Sequence, residues 1–365
     1  MFRSLGLRIA AGLALLIAVG WLLLYLPAVQ DRLLIGGVRH QVSRESAFGD
    51  APNGLKVLLC GTSGPPPNLR RAKTCTVVMA GRHTFVVDVG PGSANKLSYW
   101  RFPFEKIEAI LLTHFHSDHI GDIGEFRLQS WAAGRSVPLA VYGPSGVEDV
   151  VAGANLLYAA DDRYRSIEHR ISADAAKLDA RPFGLADPQQ RPTHMASVVF
   201  YDADGLRITA FQVIHEPVYP AAGYRFDYRG RSVVISGDTA MSPNLVRVAR
   251  GANLLIHEGQ SEAERKAMVD ALSRSGDIHL ARVISAIGNY HATPEQAARE
   301  ANEAGVRMLV FNHMSPIAPD NIVTRRIFAR GVSSIRPGKQ WMLGYDGLLL
   351  TLPQGTTAIE IGRVP

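Results

Sequence analysis

The chain has 365 residues, of which 47% are hydrophobic and 20% charged, and its formal net charge is +6. That usage is globular and excludes a collagen-like or wholly disordered chain; the length allows one large sandwich domain or two smaller ones. The small positive excess is mostly scattered arginine and mildly favours anionic partners.

The two cysteines, Cys60 and Cys75, are too few for a disulfide scaffold or a cysteine-rich metal site. They read as two buried free thiols, with a single bridge as the alternative. Any metal chemistry must therefore draw on carboxylates and the 12 histidines.

Ile9 to Val29 is an uncharged run of 21 residues, flanked by Arg3 and Arg8 before it and by Asp31 and Arg32 after it. A helix of about 20 apolar residues crosses the hydrocarbon core. The run is longer than the apolar stretch of a cleavable signal and ends without a small-x-small site. Residues 1–30 are therefore expected to be an uncleaved single-pass membrane anchor, with a signal sequence as the alternative. Arg3 and Arg8 nearly balance Arg32, Arg39 and Arg44 in the positive-inside count. The short basic tail tips the expectation toward an extracytoplasmic catalytic domain. Residues 31–54 read as a polar linker and 55–355 as the catalytic domain.

Strands are predicted at Leu55–Cys60, Thr76–Met79 and Thr84–Val89, the last two joined as a hairpin through Ala80-Gly81-Arg82-His83. A buried strand follows at Ile107–Leu112, then a helix over Gly121–Ala133 closed by Gly134, a strand at Leu139–Tyr142 and a helix at Val147–Tyr158. Arg163, Tyr164, Arg165 and Arg170 read as a solvated helix end, with a lid as the alternative. Asp204-Gly205 between Ser197–Tyr201 and Leu206–Val213 is a strong hairpin signal. Gly223–Tyr228 and Ser232–Ser236 repeat the pattern around Gly230. Leu254–His257 is a strand and Glu262–Leu272 a helix. Thr293-Pro294-Glu295-Gln296 opens another helix with a cap, a proline and a capping-box glutamine. Met308–Phe311 is the strand beyond Gly305; a helix at Ile322–Ala329 and a hairpin at Asp346-Gly347 end the chain. Strands with helices between them, in two similar halves, suggest two packed sheets with helices outside.

The chemistry is concentrated in Thr113-His114-Phe115-His116-Ser117-Asp118-His119, directly after the strand at Ile107–Leu112. Burying these imidazoles and a carboxylate together without a partner would be costly, so the cluster reads as metal ligands. His114 and His116 can converge on one ion while Asp118 and His119 turn toward a second. His215, Asp238 and His313 each lie just past an apolar run, where loops gather at one edge of a layered fold; they are the candidates to complete the set. His40, His83, His169, His194 and His279 have no such company and read as ordinary surface or loop residues.

The ordered set resembles the metallo-β-lactamase superfamily, in particular its ribonuclease Z and arylsulfatase-like branch. The resemblance runs from Leu55 to Leu352. It rests on Leu59-Cys60-Gly61-Thr62-Ser63-Gly64, Val87-Asp88-Val89-Gly90-Pro91-Gly92, the His/Asp cluster, His215 with Gly223-Tyr224-Arg225, Ser236-Gly237-Asp238-Thr239, His257-Glu258-Gly259 and Phe311-Asn312-His313. It implies an α/β (α+β) fold, a four-layer αββα sandwich, with two zinc ions at one edge; iron or manganese are the alternatives by ligand type. In that reading His114, His116 and His215 hold one ion, Asp118, His119 and His313 the other, and Asp238 bridges them. Asp88 orients ligands from behind. A homodimer also follows from the resemblance.

The function expected from these residues is hydrolysis of an anionic phosphate ester by a hydroxide between the metals, of the phosphodiesterase or endoribonuclease type. His257, oriented by Glu258 or a nearby carboxylate, is expected to protonate the leaving oxygen beside the catalytic ligand Asp118; His291 is a second candidate. Sulfate ester hydrolysis is the first alternative and an iron-dependent oxidoreductase of the same fold the second, although diiron members generally replace a histidine of the cluster that this chain keeps. His215 and Asp238 are only 23 residues apart, which leaves no room for the tRNA-binding arm of long-known ribonuclease Z proteins.

Overall fold

The structure, a computed structural model, describes residues 2–43, 48, 51–185, 194–317, 319–338 and 340–364. The chain forms two compact units, Met1–Ala47 and Phe48–Pro365.

The first unit holds helix α1 (Phe2–Leu23) and helix α2 (Pro27–Ser43). The expected single span over Ile9–Val29 is corrected here: among the described residues no single helix is long and apolar enough to cross a membrane, and the two qualify only as a pair bent by 83°. Pro27 lacks an N–H and pushes the residue before it out of the helical region, so the apolar run breaks there. From Arg8 to Leu23 the helix reaches about 24 Å at about 1.5 Å per residue, short of a hydrocarbon core of roughly 30 Å. Helix α2 also occupies much of the stretch read as a linker.

In the second unit the strands are β1 (Ala51–Gly61), β2 (Cys75–Gly81), β3 (His83–Val87), β4 (Ala109–Leu111), β5 (Leu139–Gly143), β6 (Leu178–Pro182), β7 (Ser197–Ala203), β8 (Leu206–Gln212), β9 (Ala222–Tyr228), β10 (Arg231–Ile235), β11 (Leu254–Gln260), β12 (Met308–Ser315), β13 (Trp341–Leu343), β14 (Leu348–Pro353) and β15 (Glu360–Arg363). They build one sheet in the order β15-β14-β1-β2-β3-β4-β5-β6 and another in the order β13-β12-β11-β10-β9-β8-β7. The helices are α3 (Ser93–Tyr99), α4 (Ser117–Ile120), α5 (Ile123–Ala132), α6 (Val147–His169), α7 (Pro243–Val248), α8 (Glu262–Arg274), α9 (Ile278–Ile287), α10 (Pro294–Glu303), α11 (Ile322–Phe328) and α12 (Val332–Ile335).

The central strands are nearly continuous apolar runs because both their faces are covered. Leu55, Val57 and Leu59 of β1 pack against Ile208, Phe226, Val233, Ile256 and Val310 of the other sheet. On its far side the first sheet buries Leu58, Val77, Val86 and Ile110 against Phe126 of α5 and Val147 and Val151 of α6. The second sheet buries Val234, Leu255 and Leu309 against Leu245 of α7 and Ala297, Ala298 and Ala301 of α10. The layers are therefore αββα, as the resemblance implied. The capping box at Thr293 and Gln296 forms in both directions. Helix α6 runs beyond the predicted Tyr158 to His169 because no glycine or proline lies between those two residues, so Arg163 and Tyr164 lie on its exposed end.

Cys60 and Cys75 are joined in a disulfide and neither is solvent-exposed, which corrects the reading of two free thiols. Strands β1 and β2 are antiparallel neighbours, with a bulge between Leu59 and Gly61 that brings Cys60 beside Cys75, their Cα atoms 5.0 Å apart. Closing a loop of this length restricts the unfolded chain by about 3 kcal/mol. Replacing both cysteines with alanine is expected to lower unfolding free energy by roughly 2–4 kcal/mol, measured by denaturant titration; an unchanged midpoint and slope would show that the bridge adds nothing.

Candidate metal centre

The carboxyl ends of β4, β8, β10 and β12 come to one edge of the sandwich, where open α/β sheets place their ligands. His114 follows β4, His215 follows β8, Asp238 follows β10 and His313 lies within β12. Gly237 makes the turn that aims Asp238: its φ is +63° and a Cβ there would lie 2.5 Å from the carbonyl of Ala222. His116, Asp118 and His119 enter from the short helix α4 and the residue before it.

All seven predicted ligands converge. His114, His116, His215 and Asp238 form one group able to hold a cation, and Asp118, His119 and His313 another. His114 Nε2 and His116 Nδ1 face each other at 2.9 Å, and His215 Nε2 is 3.5 Å from the same His116 nitrogen. Asp118 Oδ2 lies 3.1 Å from His313 Nε2 and 3.7 Å from His119 Nε2. Asp238 Oδ2 belongs to both sides: it is 3.9 Å from Nε2 of His114 and of His215, and 3.3 Å from Nε2 of His119 and of His313.

The residues behind the ligands fix which ring nitrogen faces inward. Asp88 accepts from the Thr113 backbone N–H at 2.9 Å, from Thr113 Oγ1 at 2.9 Å and from His119 Nδ1 at 2.8 Å. Thr113 Oγ1 then accepts from His114 Nδ1 at 3.0 Å, and the Tyr290 carbonyl accepts from His215 Nδ1 at 3.0 Å. Asp88 and His313 themselves sit at φ of +57° and +40°, a left-handed conformation that costs an ordinary residue about 1–2 kcal/mol.

The donor set fits divalent cations. His119 Nε2 and Asp238 Oδ1 are buried and have no hydrogen-bond partner, a costly arrangement unless something else binds them. Burial and the neighbouring His119 hold the His114 ring well below the usual imidazole range, so it is neutral and able to ligate. Burial opposes ionisation of Asp118, but a hydrogen bond from His313 and the charges of His119 and His313 outweigh it and bring its pKa down to about 2.

The structure does not bring His257 into this cluster. Its ring is fully buried, with Nδ1 donating to the Glu258 carbonyl at 2.7 Å and Nε2 engaged by Glu300 Oε2 at 3.2 Å. Along a strand successive side chains alternate, and the neighbour Glu258 reaches the site instead. Its Oε1 accepts from His291 Nδ1 at 2.9 Å and from the Thr239 and Ala292 backbone N–H groups. The His291 ring lies 5.6 Å from that of His313, nearly parallel to it, and its Nδ1 is 4.0 Å from Asp238 Oδ2. Burial opposes the charged form of His291, yet Glu258 and Asp238 outweigh it and raise its pKa to about 9. Glu300 was missed from the sequence; its signal was one acid on the alanine face of the amphipathic helix α10.

Of the histidines read as ordinary, His169 and His279 are exposed, and His194 pairs with Glu216 at 2.7 Å. His83 is buried at the other end of the sandwich, between Glu108 at 2.7 Å and Asp204 at 3.2 Å.

Comparison with known proteins decides the lineage. The family described as "Beta-lactamase superfamily domain" matches residues 83–314. The chain belongs to the beta-lactamase superfamily. It is 33% identical over 268 residues to "Ribonuclease Z" of Mycobacterium sp. (strain KMS), covering 73% of this chain and 86% of that protein. It is 34% identical over 265 residues to "Ribonuclease Z" of Mycobacterium avium (strain 104), covering 72% and 86%. Among solved structures, the metallo-beta-lactamase fold protein YhfI of Bacillus subtilis superposes with a TM-score of 0.58 at 20% identity, over 82% of this chain and 100% of that one. The short form of human tRNase Z superposes with a TM-score of 0.56 at 20% identity, over 82% and 99%. With such relatives this member of the superfamily is a hydrolytic enzyme acting on ester bonds.

Asp88→Ala is expected to free the His119 ring and weaken metal binding by about 10–100-fold, read by competition with a chromogenic chelator. Unaltered affinity would remove Asp88 from its orienting role.

Proposed function

We propose that the chain is a dinuclear zinc-dependent phosphodiesterase that works outside the cytoplasm. The observation that carries this is Asp238, whose Oδ2 stands within 3.9 Å of ring nitrogens from both histidine groups, so that this carboxylate would be shared by two ions. Imidazole and carboxylate donors without thiolate suit zinc. When bound, two such ions polarise a phosphoryl oxygen and lower the pKa of water. Their four positive charges exceed the two of Asp118 and Asp238, which favours an anionic ester. Relatives called ribonuclease Z support a phosphodiester over a sulfate ester.

The chain's own residues supply binding and proton transfer. Glu258 holds His291 by Nδ1 at 2.9 Å, leaving the other ring nitrogen to meet a leaving oxygen. The acid role expected for His257 passes to His291 in this proposal, and His257 with Glu300 braces β11 against α10. Between His215 and Asp238 the chain holds β9, β10 and their turn, so the proposed substrate is smaller than precursor tRNA. An extracytoplasmic site is supported by the buried Cys60–Cys75 bridge, since disulfides persist in oxidising compartments, and by the apolar helix pair at the N-terminus.

Assay of bis-nitrophenyl phosphate, nitrophenyl sulfate and unprocessed tRNA side by side is expected to give turnover mainly on the phosphodiester. Asp238→Ala should abolish it and lower the metal content from about two per chain. Cleavage of the sulfate alone, or full activity with Asp238→Ala, would reject the reading. His291→Ala should lose roughly 10²–10⁴-fold on an alkyl phosphodiester and far less on a nitrophenyl ester, whose leaving group needs no proton. Equal losses on both would remove His291 as the acid.

A further inference from the structure

Two chain segments that border the metal centre project apolar and cationic side chains with no role in the chemistry above. One is the loop from Gly64 to Arg70. A Cβ on Gly64 would lie 3.1 Å from the His313 ring, and Lys73 Nζ donates to the carbonyls of Gly64 and Pro65 at 2.7 and 2.8 Å. The other is the run after His313 that leads into α11. The two are pinned together: Asn68 Nδ2 donates to the Ile317 carbonyl at 3.3 Å, and Asp320 takes Arg71 Nε at 2.7 Å and Arg325 Nε at 2.6 Å.

From this braced rim Leu69 stands fully exposed, with Ile322 and Val323 at 67% and 61%. Singly, exposed aliphatic residues need no explanation. Here three stand on two segments locked to each other at the mouth of a site. Arg70 and Arg326 are exposed beside them, and among the described residues neither pairs with a carboxylate. Of the acids here, Asp320 is engaged by Arg71 and Arg325, and the half-buried Glu264 accepts from the Ile317 backbone N–H at 2.7 Å. Lys96 Nζ donates to the Arg70 carbonyl at 3.0 Å, and Tyr99, one turn further along α3, is 82% exposed.

Aliphatic tips, unpaired arginines and a tyrosine on one rim are the composition of a surface that sits at a lipid interface. A second copy of the chain fits less well, because a two-fold contact through this patch would set Arg70 and Arg326 against their own copies. We propose that this rim docks on an anionic bilayer surface, and that the site takes the phosphodiester of a lipid headgroup presented there. The substrate half rests on the phosphodiesterase reading; the docking half does not.

The test uses the full chain reconstituted in vesicles. Leu69→Cys, Ile322→Cys and, as a remote control, Lys177→Cys each carry a nitrobenzoxadiazole dye; the two native cysteines are bridged and buried. In vesicles containing phosphatidylglycerol, spin-labelled lipid is expected to quench the dyes at 69 and 322 and to spare the one at 177. Equal quenching at all three positions, or none, overturns docking. Shielding of 69 and 322 from iodide without quenching by lipid would mean that protein covers the rim, and overturns it too. Leu69→Asp combined with Ile322→Asp should lower turnover of a vesicle-borne phosphodiester at least tenfold while leaving soluble bis-nitrophenyl phosphate unchanged; equal rates on the vesicle substrate overturn the substrate half. If the wild-type chain turns over no soluble ester, the phosphodiesterase reading falls and the substrate half with it, whereas the quenching result still decides docking.

Discussion

A single buried carboxylate organises the catalytic unit. Asp238 lies within 4.0 Å of ring nitrogens from five histidines, and burial alone would push its pKa up. The surrounding imidazoles, His313 and His119 foremost, hold it far below the usual carboxylate range instead. Such a gathering of titratable groups away from water is stable only when charge is matched and lone pairs are used. Divalent cations meet both demands, which is why the donor set makes sense as a metal centre and poorly as packing.

The rest of the fold serves that gathering. Strand ends from both sheets bring the ligands to one edge, Asp88 and Thr113 select the inward ring nitrogens, and the Cys60–Cys75 bridge staples β1 to β2 behind them. Asn312 donates to Thr76 Oγ1 at 3.3 Å, tying the strand that carries His313 to the sheet that carries Asp88. Two His–Glu pairs stand next to each other with different work to do. His291–Glu258 faces the ligand cluster, whereas His257–Glu300 is sealed between β11 and α10. Side-chain alternation along one strand separates the two.

The N-terminal unit shows the limit of hydropathy taken alone. Mean apolarity over Ile9–Val29 is that of a membrane span, but Pro27 divides the run into two helices with different axes. Backbone chemistry outranked composition there. The cysteines carry the same lesson: whether two thiols fifteen residues apart meet depends on strand register and on a bulge at Gly61, and neither can be read from spacing.

By itself the sequence determined the layer architecture, the hairpins at Gly205 and Gly230, the capped helix at Thr293 and all seven residues that gather in the candidate cluster. These are local signals: apolar period, turn residues, and imidazoles placed just past strands. Tertiary structure alone decided which histidine faces the site, that Glu300 is bound inside, that the thiols pair, and that Leu69 and Ile322 share one rim. Each of these depends on residues far apart in the chain, 249 positions in the case of Arg71 and Asp320, and contact at such a distance is set by how the sheets pack rather than by any neighbouring residue.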